Sequence, residues 1–179
     1  MSILRFLKLD QSNAASSPET ETVRKIAEAL DRLDPQRAKF IAAFAYLLGR
    51  VARADLIITN EETKLMEQIV VRQAGLLEEQ AVLVIQMAKT QNILFGGTEN
   101  YLVTREFNTL ASHEEKISLL HCLYAVAAAD KSISTVEDNE ISQIADELRI
   151  EHRDLITVRS KYRDFLAVLN NSSDLGGSS

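Results

Sequence analysis

Apolar residues recur at steps of three and four along most of this chain, and helix-starting signals punctuate the runs. Phe40, Phe44, Leu47, Leu48 and Val51 share one helical face. Asp34-Pro35 ahead of them combines a capping carboxylate with a proline suited to a first turn, and the helix is predicted to end near Ala54-Asp55. Ser17-Pro18-Glu19 gives the same kind of start to an earlier helix reaching about Leu33. Thr59 with Glu62, Ser112 with Glu115 and Ser134 with Glu137 each form a capping-box pattern, a hydroxyl followed three residues later by a carboxylate. The helices they open carry Leu65, Met66, Ile69 and Val70, then Ile117, Leu120, Leu123, Tyr124 and Ala127, then Ile141, Ile144, Ala145 and Leu148.

Gly75 is placed to end the Thr59 helix, and Glu78 to Thr90 reads as a further helix containing Ala81, Val82, Ile85, Met87 and Ala88. Gly96-Gly97 marks a break, after which a short segment with Tyr101, Leu102 and Phe107 bridges onward. The Ser112 helix is predicted to end at Ala129-Asp130, and a last helix to run from about His152 to Leu169. With 2 prolines and 6 glycines in 179 residues, little interrupts these runs. The expected fold is all-α: a compact bundle of about seven or eight helices. It occupies one domain over residues 18–169, preceded by an apolar segment and linker (1–17) and followed by a disordered polar tail (170–179).

An internal repeat divides this bundle. With Asp55 placed on Asp130, 75 positions later, Val51-Ala52-Arg53-Ala54-Asp55 lies on Val126-Ala127-Ala128-Ala129-Asp130. Ile58 falls on Ile133, Thr59 on Ser134, Glu62 on Glu137 and Gln68-Ile69 on Gln143-Ile144 without a gap. Each unit, about 34–90 and 109–169, reads as an apolar helix, an Asp at its end, a loop with one buried Ile and a capped helix. One such hairpin cannot cover its own apolar face, so the two are expected to pack on each other.

An aspartate at a helix C-terminus meets the negative end of the dipole, which disfavours it by roughly 0.3–1 kcal/mol. Loop N–H groups, a nearby cation-bearing side chain or a bound cation could each offset this. In a purely structural account Asp55 and Asp130 accept loop hydrogen bonds, while Glu62 and Glu137 close capping boxes. A cation site would draw on these and on the surplus acids Glu61, Asp138 and Glu140, since hard cations gather several oxygens. The spacing does not fit the twelve-residue calcium loop.

Net charge of −6 disfavours a nucleic-acid partner. The single cysteine, Cys122, allows no internal disulfide and fits a reducing, cytoplasmic setting. No apolar run approaches the roughly 20 residues of a membrane-spanning helix. Ile3 to Leu9, apolar with Arg5 and Lys8, can dock on the body of the protein, on a partner or on the inner membrane surface. His121 and Cys122 are adjacent on a helix and read as core residues. None of the three histidines follows a glutamate by three positions, which excludes the di-metal bundle motif. No nucleophile motif is present, and the chain reads as a non-enzyme.

The run Val51 to Asp55 with Glu61-Glu62, followed by Val126 to Asp130 with Glu137, resembles the TerB-like family, named for bacterial tellurite-resistance proteins. The resemblance covers about Asp34 to Leu169. Tyr101-Leu102-Val103-Thr104-Arg105, Glu114-Glu115 and the stretch from Leu120 to Leu148 carry its likeness to the B-type branch. It implies a compact helical domain with two related halves. It also implies a proposed site for a divalent cation, calcium or magnesium, at the matching Asp55, Glu61, Glu62, Asp130 and Glu137. Related domains fused to co-chaperone and membrane-linked modules imply docking to a protein partner in stress response. The family's usual glycine after each aspartate is replaced here by Leu56 and Lys131. Glycine suits a left-handed backbone, and Lys131 adds a positive charge beside the presumed cation.

Overall fold

Helix Pro35–Ala52 is the axis around which the other helices are arranged, and every residue from Phe40 to Val51 is buried. The computed structural model describes residues 18–52, 60–90 and 100–167. Among these are eight α-helices: α1 (Pro18–Asp31), α2 (Pro35–Ala52), α3 (Asn60–Ala74), α4 (Glu78–Lys89), α5 (Asn100–Leu110), α6 (His113–Ala127), α7 (Thr135–Glu147) and α8 (His152–Ser160). Two short 3-10 turns follow α6 and α8, at Ala128–Asp130 and Arg163–Phe165. The all-α architecture is as the sequence predicts.

The single apolar face read on α2 is too narrow a description. The helix is enclosed by α1, α4, α5, α6 and α7, and Ala42, Ala43 and Ala45 fill positions between its larger side chains. A helix apolar all round belongs in the centre of a bundle. Its start is as expected: Asp34 Oδ1 accepts from the backbone N–H groups of Gln36 (2.9 Å) and Arg37 (3.3 Å).

The two repeat units embrace across the molecule. Unit one's second helix, α3, lies along unit two's first, α6, while α2 packs on both α6 and α7. Met66 and Val70 line the buried face of α3, but Leu65 stands largely exposed beside them. Gly75 ends α3 with φ of +63°, its N–H donating to the carbonyl of Val71 (3.1 Å). In α4 the core positions are Ala81, Leu83, Val84, Ile85, Met87 and Ala88, and Val82 is exposed.

Two stretches depart from the sequence reading. The bridging segment after the glycine pair is a full helix, α5. Its Phe107 stacks on Phe40 (centroids 5.2 Å apart) and tilts against Phe44 (6.4 Å). At the other end, the expected helix to Leu169 stops at Ser160. The chain bends through Arg163–Phe165 so that Leu166 pairs in parallel with Ile133. Ile133 N–H donates to the Phe165 carbonyl (2.6 Å), and Ala167 N–H donates back to the Ile133 carbonyl (3.0 Å). Residues 1–17, the Gly96-Gly97 break and the tail from Asn170 lie outside the described residues.

Candidate functional site: the acidic helix–loop junction

The junction between α6 and α7 holds most of the acids singled out in the sequence. Helix α6 tightens into a 3-10 turn at Ala128–Asp130, and the exposed Asp130 Oδ1 accepts the Ser132 N–H (2.9 Å). A loop N–H thus offsets the unfavourable position of this carboxylate at a helix end. Lys131 follows with φ of +72°, so the position where glycine would be expected does adopt the left-handed backbone, and a lysine occupies it. The chain then buries Ile133 and caps α7 with Ser134.

Glu137 closes the predicted capping box in both directions. Its Oε2 accepts from Ser134 N–H (2.9 Å) and Ser134 Oγ–H (2.7 Å), while its own N–H donates to Ser134 Oγ (3.2 Å). Asp138 receives a bidentate pair from Arg159 (2.9 Å from Nε, 2.7 Å from Nη2) and a hydrogen bond from the Tyr124 hydroxyl (3.1 Å). The hydrogen bonds and charge of Asp138 raise the pKa of Arg159. Burial, reinforced by the Asp138 charge, drives the Tyr124 phenol well above its ordinary value.

Glu140 is bound from across the molecule. Arg50 on α2 reaches it through Nε (2.7 Å) and grips Glu147 through Nη1 (2.8 Å) and Nη2 (3.1 Å). The Arg50 side chain is only 3% exposed. Its burial works against the charge, but hydrogen bonds and attraction from both glutamates outweigh it and raise its pKa. Gln143 adds a bond to Glu147 Oε1 (3.0 Å). This triad ties unit one to unit two at the centre of the bundle.

Of the predicted metal ligands, Asp130 and Glu137 therefore lie on one junction with internal partners. Glu61 is exposed on the first turn of α3, while Asp55 and the side chain of Glu62 lie outside the described residues. Among the described residues no three His, Cys, Asp or Glu side chains group as a metal would require. The arginines of these networks were missed in the sequence. Arg50 had a visible signal, a lone cation inside an apolar helical run; Arg159 had none.

Cys122, His121 and His113 sit in structural surroundings. Cys122 is fully buried, which pushes its thiol up to about 12, so the thiolate is absent at neutral pH. The half-buried His121 is lowered by burial and by Lys161, and its carbonyl accepts the Tyr162 hydroxyl (3.1 Å). Exposed His113 pairs with Asp154 (3.3 Å).

Two helical units packed on one another across the molecule, and tied by the contacts of Arg50 with Glu140 and Glu147, define an all-α module. The family model described as Tellurite resistance protein TerB matches residues 41–160, and the chain belongs to that family. The match is somewhat narrower than the stretch from Asp34 to Leu169 that the sequence resemblance covers. Comparison with curated proteins and with solved structures returns no match. No helix among the described residues is long and apolar enough to cross a membrane.

Proposed function

We propose that this chain is a non-catalytic TerB-family interaction module, serving bacterial stress or tellurite resistance by docking a protein partner, with its repeated acids in structural roles. The observation that supports this reading is the occupancy of the α6–α7 junction. Asp130, Glu137, Asp138 and Glu140 each accept from a named N–H or O–H group of the chain itself. The engagement of these carboxylates and the burial of Cys122 in the core support structural roles for them. The apolar Ile3–Leu9 segment supplies a means of docking, on a partner or on the inner membrane surface of the cytoplasm.

A second reading keeps a divalent cation, calcium or magnesium, held by Asp55, Glu61 and Glu62 with or without Asp130 and Glu137. It is favoured by Glu61, an exposed carboxylate without a hydrogen-bond or ion-pair partner among the described residues. Calorimetric titration of the chelator-stripped chain with calcium, then magnesium, separates the two. No saturable heat in the native chain, Asp55→Asn or Asp130→Asn, all equally folded, supports the structural role. Saturable binding lost in Asp55→Asn overturns it in favour of the cation. Partner capture lost on deletion of Ile3–Leu9 supports docking through that segment, and an unchanged capture set removes it.

A further inference from the structure

Where α5, α6 and the C-terminal end of α7 meet, an open pocket of about 710 Å3 carries a charge opposite to that of the whole protein. Arg105, Lys116 and Arg149 line it, against Asp146 and Glu147. The Glu147 charge is already matched by the Arg50 fork on the far side. None of the three cations has a carboxylate within ion-pair distance among the described residues. Three positive groups thus face two acids, one of them already held by Arg50, on a chain whose net charge is −6. The volume falls within the range of small-molecule sites.

The walls are fixed rather than loose. Lys116 Nζ donates to the Leu148 carbonyl (3.3 Å) and Asn108 Nδ2 to the Glu147 carbonyl (3.0 Å), which completes the end of α7. An ammonium has three protons, so Lys116 keeps donors for a ligand. Burial and the neighbouring Arg149 both lower its pKa, the mark of like charges held near each other without a counter-ion. Arg149 itself is held in a left-handed conformation, φ +55°. Asn108 also lines the pocket wall. Its Oδ1 is the buried side-chain acceptor that has no hydrogen-bond donor among the described residues. At the rim, Arg105 lies over the exposed Tyr101 ring, 5.7 Å from its centre.

We propose that this pocket binds a small phosphate monoester whose dianion is held by Lys116 and Arg149, with Arg105 closing the rim. A dianion answers the two neighbouring cations Lys116 and Arg149 together, and the planar guanidinium fork matches phosphate oxygens. Nucleic acid is a poor occupant, because the cations form one pocket and not a stripe along an otherwise acidic surface.

The test is calorimetric titration of the full chain at low salt with glycerol 3-phosphate, inorganic phosphate and succinate. Expected is one-site binding of glycerol 3-phosphate, weaker for inorganic phosphate, and about tenfold weaker in Arg149→Asn and in Lys116→Gln. Asparagine tolerates the left-handed backbone, so Arg149→Asn decides the matter if Lys116→Gln fails to fold. Arg153→Gln, an exposed cation outside the pocket, should bind as the native chain does. The proposal is overturned by no saturable heat up to about 10 mM ligand. It is equally overturned by succinate binding as tightly, by the same loss in Arg153→Gln, or by binding confined to vesicles of anionic phospholipid.

Discussion

Removing the Arg50 guanidinium would leave the partly buried carboxylates of Glu140 and Glu147 without their shared cation. Breaking a buried ion pair costs about 3–5 kcal/mol. Both glutamates keep part of their surface in water, so we expect Arg50→Met to lose about 2–3 kcal/mol in urea unfolding. The acid limb carries a second signature. Burial works to raise the Glu147 carboxyl, yet hydrogen bonds and charge from Arg50 hold it below its ordinary 4.5. A depressed folded value gives stability that is complete above about 4.5 and is lost as pH falls through the folded value. Urea midpoints measured between about pH 6 and pH 3 should therefore fall less steeply in Arg50→Met than in the native chain; parallel curves would mean that Arg50 does not set this ionisation.

At the scale of elements, local chemistry decides where helices begin and end, and it can be tested at two left-handed residues. Lys131 occupies a conformation that costs an L-residue roughly 1–2 kcal/mol. Lys131→Gly should raise stability by about 0.5–1 kcal/mol once the greater freedom of glycine in the unfolded chain is counted. Gly75→Ala should lower it by about 1 kcal/mol through the backbone alone, because an added Cβ meets nothing within 4 Å. Shifts of the opposite sign in thermal melts would refute both. The same locality explains what could be read in advance. The Ser112 and Ser134 boxes were legible because each carboxylate lies three residues from its hydroxyl. Helix α5 is hard to read from sequence because its core stripe is short, Val103 and Phe107 with half-buried Leu110, while Tyr101 and Leu102 are exposed. The pattern predicts too long a last helix because Tyr162, Phe165 and Leu166 continue the helical spacing. Ile133, more than thirty residues earlier, claims that backbone instead. Arg50 and its glutamates are separated by 90 and 97 positions, a distance over which no local pattern carries information.

For the molecule as a whole, the burial of α2 on all sides makes the two repeat units interdependent. Residues 100–167 produced alone would lose the helix on which α5, α6 and α7 converge, and the remaining apolar surface would be too small to offset chain entropy. We expect that fragment to lack a cooperative thermal transition by far-UV circular dichroism, whereas the full chain melts in a single step. A sharp transition in the fragment would make the units separate folding bodies. This enclosure also sets a delay during translation. Glu147 lies 97 residues beyond Arg50, and at about 5–20 residues per second a ribosome needs roughly 5–20 s to deliver it. Over that interval the apolar cylinder of α2 is covered only in part, as α4, α5 and α6 emerge in turn, so the residues that seal the finished protein are the ones a chaperone must shield first.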